Sequence, residues 1–262
     1  MGFWDASLTG IAWTFVLVLT RISGLFLVAP FFGSPAVPRR VRALLMATVA
    51  LLITVLYVPH SLPPIRNLVD LSLLMGKEAA LGMFLALALL LCFLAIQLAG
   101  QLLGHLGGLS VGDLFDPATN TNQGVIAQLL YWVALAIFLT TGGHRQTMQA
   151  LLDLFETYPP GRVVLPDEAL EGIIEITSLS MATAWRAAAP VAAALLLAMV
   201  VLGLIGRTLP QLNILAVGLG SYTVLLLAGL IATGGTVLWI FQQHTTDMIE
   251  AVQAWLVPPM PP

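Results

Sequence analysis

Charge is what this chain has least of. Only 9% of its 262 residues are Asp, Glu, Lys or Arg, where soluble domains carry about 25%. The formal net charge is −3 and no dense basic patch is present, so nucleic acid is excluded as the expected partner. Cysteine is scarcer still. Cys92 stands alone in an apolar run, which excludes an intrachain disulfide and a cysteine-built metal site. His60, His105, His144 and His244 are scattered without the spacing of a zinc helix and read as interfacial or helix-end residues. The GLIGRT stretch at 203–208 lacks the lysine and the spacing of a phosphate loop, and no Ser/His/Asp triad is recognisable. Asp113 and Asp116 are the best candidates for paired carboxylates. However, residues 110–113 read Ser-Val-Gly-Asp, and no second aspartate lies deep in another apolar run, as intramembrane aspartyl proteolysis requires. The expectation is a protein with no catalytic, cofactor or metal site.

What is present is apolar surface. Hydrophobic residues make up 59% of the chain and the mean hydropathy is +0.97, the composition of an integral membrane protein. A helix needs roughly 20 mainly apolar residues to cross the hydrocarbon core. Six stretches approach that length: 8–29, 41–58, 71–103, 124–142, 182–206 and 213–240. Their helical length argues for an all-α membrane protein rather than a barrel. The first stretch reads as a retained span, because Asp5 precedes it and Arg21 stands where a cleavage region belongs. It ends at APFFGSPAVPRRVR, where Pro30, Pro35 and Pro38 stop the helix. Arg39, Arg40 and Arg42 place that loop on the cytoplasmic side by the positive-inside rule, and Arg207 agrees. An even number of spans then puts both termini on the other side.

Three ionisable residues sit within or near the spans. Arg21 interrupts the first, where it is costly unless it faces protein or water. Lys77 and Glu78 stand near the start of the third, either as an interfacial pair or as buried charges that meet a partner subunit. Residues 146–156 form an amphipathic segment with Met148, Leu151, Leu152 and Phe155 on one face. After YPPG at 158–161, Pro166 and Asp167 open a further helix, so this polar insert reads as an extramembrane cap. Pro190 predicts a kink in 182–206. The turn GRTLPQLN makes 182–206 and 213–240 a helical hairpin. A helix over 213–240 is about 42 Å long, against a core of about 30 Å.

Leu98 to Gln128 is the most informative segment. Gly100, Gly104, Gly108 and Gly112 recur at i, i+4 spacing, with Gly107 in addition, and the sequence then turns abruptly polar from Asp113 to Gln123. Such a ladder serves close helix packing, or it marks a backbone that bends when a pore opens. Polar non-helical backbone at membrane depth is buried in protein or lines a watery space, which makes the segment a candidate gate. Asp116-Pro117 opens a turn. Leu109, Val111, Leu114 and Phe115 are suited to sealing a constriction by excluding water.

Taken in order, APFFGSPAVPRRVR after Arg21, GKEAALG at 76–82, QLAGQLLGHLGGLSVGDLFDP at 97–117, TGGHR at 141–145, YPPG at 158–161 and LGLIGRTLPQLNIL at 202–215 resemble the FliR family of flagellar type III export proteins, related to the injectisome SctT group. GLGSYTV at 218–224 departs from the family's aromatic-Pro-hydrophobic pattern. The resemblance implies a core subunit of the export gate in the bacterial inner membrane, at the flagellar basal body. It implies assembly with FliP-like, FliQ-like and FlhB-like proteins around unfolded substrates in transit, in contact with membrane lipid. Residues 1–180 would be FliP-like and 181–262 a FliQ-like hairpin. The family's plug falls here on Gly107, Gly108, Leu109, Ser110, Val111, Gly112, Asp113, Leu114, Phe115, Asp116 and Pro117, with the aspartates orienting the loop. Arg21, Lys77, Glu78 and Arg207 would be charges that contact other subunits. Two other readings remain: an injectisome subunit that secretes effectors, and a stand-alone secondary transporter coupled through Arg21, Lys77 and Glu78.

Overall fold

In hydrocarbon, backbone N–H and C=O groups have no water to bond, and a helix satisfies them within one segment. The structure is a computed structural model that describes residues 3–31, 33, 37–56, 67–109, 124–163, 169–209, 211 and 213–256. These form seven α-helices and, among the described residues, no strand. In chain order they are α1 (Phe3–Val28), α2 (Arg39–Leu56), α3 (Leu68–Leu106), α4 (Val125–Thr140), α5 (Gly143–Thr157), α6 (Ala169–Thr208) and α7 (Ile214–Leu256). The all-α membrane class read from the sequence is the class observed.

Among the described residues, four segments are long and apolar enough to cross a membrane: Gly10–Val28, Leu68–Leu106, Glu171–Thr208 and Val217–Trp255. A fifth is added if α4 and α5 count as one broken span. The count of six is therefore not reproduced. The stretch at 41–58 belongs to α2, an 18-residue helix whose first turn carries Arg39, Arg40 and Arg42. Its uncharged remainder is about 21 Å long, short of a core of about 30 Å. Where it is described, the polar insert is mostly helical. Its first part is α5, and its second is the beginning of α6, which runs unbroken as a 40-residue helix on both sides of Pro190. Glu171 and Glu175 lower the hydropathy there without interrupting the helix, since glutamate is a good helix former. Helix α7 continues to Leu256, 43 residues or about 65 Å of helix.

The chain divides into two compact units that interleave along the sequence. The first comprises Met1–Leu91, Gly142–Ile176 and Thr246–Pro262; the second comprises Cys92–Thr141 and Thr177–Thr245. In the first, Leu17, Ile22 and Leu25 of α1, Leu81 and Leu85 of α3, Leu151 and Leu154 of α5, and Met248 and Val252 of α7 are buried. In the second, Phe93 is the hub of an aromatic cluster, with ring centroids 5.6 Å from Phe138 and 5.3 Å from Phe241, both edge-on.

Candidate functional site

Helices α1 and α3 approach each other through glycine. A Cβ on Gly24 would lie 2.6 Å from the Ala79 carbonyl oxygen, and one on Gly82 would overlap the carbonyl oxygen of Arg21. Only the absence of a side chain at both positions permits this spacing. One turn before Gly82 stands Glu78, and Arg21 Nε donates to its Oε2 at 2.7 Å. Both side chains are completely buried. The rest of the guanidinium is used as well. Nη1 donates to the Leu154 carbonyl at 3.0 Å and Nη2 to the Tyr158 carbonyl at 2.9 Å, so the fork caps the C-terminal end of α5. The Phe155 ring centroid lies 4.2 Å from Arg21 Cζ, a cation–π contact. Glu78 Oε1 accepts the Gly161 amide at 2.7 Å, which fixes the YPPG turn, where Gly161 has φ 80°. One ion pair thus ties α1, α3, α5 and the following turn, with its charges neutralised and each guanidinium nitrogen hydrogen-bonded.

Four charges were read as contacts to other subunits, and the structure sorts them. Arg21 and Glu78 meet each other inside the chain and present no surface, whereas Lys77 and Arg207 are exposed. The pairing of Arg21 with Glu78 is the feature that the sequence reading missed; residues 57 positions apart leave no local signal of contact.

In the second unit the glycine ladder is a packing surface. A Cβ on Gly100 would come within 2.6 Å of Ala127 Cα, so α3 and α4 are in backbone contact there, while Gly104 has only the Ile126 side chain near it, at 3.9 Å. At the end of α3, Gly107 lies against Leu226, and Gly108 adopts φ 76°, the left-handed conformation that terminates helices. The Thr223 hydroxyl of α7, which donates to the Leu219 carbonyl at 2.9 Å, lies 3.3 Å from the Gly107 carbonyl oxygen. Gly107, Gly108 and Leu109 are the described part of the expected plug; Ser110, Val111, Gly112, Asp113, Leu114, Phe115, Asp116 and Pro117 lie outside the described residues. The contrast between rungs gives a test. Gly100→Leu is expected to cost at least 2–3 kcal/mol, of the order of overpacking, and Gly104→Ala to be neutral or to gain up to about 1 kcal/mol of helix propensity. Melting temperatures of the two purified variants check this, and equal melting would sink it.

His244 is buried, not interfacial or at a helix end. Thr183 Oγ1 gives its proton to the Leu179 carbonyl and lies 3.2 Å from His244 Nδ1, while Ser180 Oγ lies 3.3 Å from Nε2. The threonine oxygen therefore accepts from Nδ1–H, and Nε2 accepts from Ser180, so a neutral imidazole has both nitrogens satisfied. The signal available in the sequence was the buried stripe Val237, Phe241, His244 at i, i+4, i+7.

A family model described as bacterial export proteins, family 1, matches residues 12–248. The chain belongs to this family. Among its relatives, the flagellar biosynthetic protein FliR of Pectobacterium carotovorum subsp. carotovorum is 32% identical over 222 residues, covering 85% of this chain and 82% of that protein. The FliR protein of Escherichia coli K12 is also 32% identical, over 204 residues and 76% of each chain. The surface presentation of antigens protein SpaR of Salmonella typhimurium is 27% identical over 206 residues, 78% of this chain and 76% of that protein. The family's export role and the apolar helices agree on an integral membrane component of a bacterial export system.

Proposed function

We propose that this chain is a non-enzymatic core subunit of the flagellar protein export gate, set in the bacterial inner membrane. With FliP-like and FliQ-like subunits it forms the pore through which unfolded flagellar proteins leave the cytoplasm, and a FlhB-like protein lies against it. The observation that carries this reading is the similarity to FliR proteins over 85% of the chain. Residues 1–180 take the FliP-like role and 181–262 the FliQ-like one. The open surface of the C-terminal hairpin supports that division: in the apolar windows of α6 and α7 only 17% of residues are buried, against 56% in α3. Lys77 and Arg207, both exposed, are the charges offered to neighbouring subunits. The segment Gly107–Pro117 is the plug, anchored at its start by the packing of Gly107 and Gly108 on α7.

Deleting Gly107–Pro117 is expected to raise ion conductance of the assembled complex at least several-fold while the subunits still co-purify. Unchanged conductance in an assembled complex would remove the sealing role. Recovery of the tagged chain without FliP-like and FliQ-like proteins would remove the gate itself. The similarity to SpaR favours an injectisome subunit as the second reading. Loss of swimming on deletion, with effector secretion intact, separates the two.

A further inference from the structure

Helix α2 packs by one stripe only. Ala50, Ile53 and Thr54 are buried, and α2 lies against α1. At 100° per residue, Arg40, Val41, Leu44, Leu45, Thr48, Leu51, Leu52, Val55 and Leu56 occupy a continuous sector about 160° wide, and every one of them is exposed. On this face the single polar side chain beyond the first turn is Thr48, whose hydroxyl donates to the Leu44 carbonyl at 2.8 Å. The face therefore offers no unsatisfied donor along its length. From Arg40 to Val55 it measures about 22 Å, longer than the roughly 15 Å of one leaflet's hydrocarbon.

What covers this face follows from its residue types and its charge. Helices that pack against helices in a membrane present small residues, as Gly24 against α3, Gly82 against α1 and Gly100 against α4 show in this chain. Of the three alanines in α2, Ala50 is buried, Ala47 half-buried and Ala43 exposed, and none of them lies in the open apolar sector. The open face carries large branched residues, the surface that acyl chains fill. At its head stand Arg39 and Arg40, both exposed, and α2 has no acidic residue in its first turn. Side chains of a helix lean toward its N-terminus, so these guanidinium groups extend past the apolar face to the depth of the lipid headgroups. A guanidinium fork matches phosphate oxygens in pairs, and the positive end of the helix dipole acts in the same direction.

We propose that α2 is a binding surface for anionic glycerophospholipid, with Arg39 and Arg40 holding the headgroup phosphate and the Leu44–Leu51–Val55 face holding an acyl chain. This goes beyond the gate reading and rests only on membrane residence. The test is native mass spectrometry of the purified full-length protein exchanged into an equimolar mixture of phosphatidylglycerol and phosphatidylcholine. At roughly fivefold per basic residue at the membrane surface, two arginines are expected to retain phosphatidylglycerol about thirtyfold over phosphatidylcholine. The double variant Arg39→Gln/Arg40→Gln is expected to lose that preference, and Arg207→Gln, which removes an exposed arginine elsewhere, to keep it. No preference in the unmodified protein, or a preference unaffected by the double variant, overturns the proposal. Should the double variant fail to fold, a photoreactive amino acid in place of Leu51 decides the question in native membranes. A lipid adduct supports the surface described here, and an adduct to another protein chain overturns it.

Discussion

Replacing Glu78 with glutamine in the full-length protein is expected to lower its stability by about 3–5 kcal/mol, because it leaves the Arg21 guanidinium buried with no counter-charge. Against a total of about 5–15 kcal/mol for a folded chain, that is enough to deplete the protein from membranes and stop export. The pair also makes a less obvious demand. In the double variant Arg21→Met/Glu78→Gln no buried charge remains. Glutamine can still accept the Gly161 amide, and the Leu154 carbonyl keeps the Tyr158 amide at 3.0 Å. The Tyr158 carbonyl loses the Arg21 donor, and the glutamine NH2, in place of the oxygen that Arg21 Nε bonded, is a neutral group far less costly to bury than an unpaired charge. The double variant should therefore be more stable than Glu78→Gln alone. Arg21→Lys should behave as a loss, because a single ammonium cannot reach Glu78, Leu154 and Tyr158 in one plane. Melting temperature in detergent and level in membranes both read this. Destabilisation that simply adds between the two single variants would show that no coupled pair exists.

Gly82→Val should be as damaging. Its side chain would occupy the space of the Arg21 carbonyl, which is backbone and cannot turn aside. Overpacking alone costs about 1–3 kcal/mol. Separating α1 from α3 also stretches the 2.7 Å Arg21–Glu78 contact, which adds a share of the pair's own contribution. The control is Gly76→Ala on the same helix, where a Cβ meets nothing within 4 Å. That change should be neutral or stabilising by up to about 1 kcal/mol. If both variants accumulate and melt alike, the close crossing does not hold the site together.

The class of the fold was legible because it follows from composition: long apolar runs without charge leave helices as the solution. The limits of α1, α3 and α4 followed from the same runs, since proline, glycine or a polar turn ends each of them. Where hydropathy and helix propensity part company, the sequence misled. The apolar run at 182–206 stops short of the helix that carries it: α6 begins at Ala169 and includes Glu171 and Glu175, because a helix tolerates glutamate that a bilayer does not. The apolar run at 213–240 likewise stops short of its helix: α7 continues to Leu256, with Met248 and Val252 buried in the first unit. The site was legible in its parts and not in its assembly. Arg21 and Glu78 stood out as charges among apolar neighbours, but their partners are 57 and 133 positions away from Arg21, and no periodicity reports a contact at that separation. His244 was passed over for the converse reason: a histidine among Gln242, Gln243 and Thr245 looks solvated until the stripe through Val237 and Phe241 is traced.

The span of that ion pair along the chain also sets a timetable for biosynthesis. At a synthesis rate of about 5–20 residues per second, Glu78 is made roughly 3–11 s after Arg21, from the 57 residues between them. The Leu154 carbonyl, 133 residues on, follows Arg21 by roughly 7–27 s at the same rate. Until Glu78 is made, the nascent α1 carries a guanidinium with none of its eventual partners, at a cost of about 2.5–3.5 kcal/mol if it is already in lipid. The first helix is therefore poorly equipped to leave the insertion machinery alone. It is best released only once α3 has followed it, so that Glu78 can neutralise Arg21 before α1 is left in lipid.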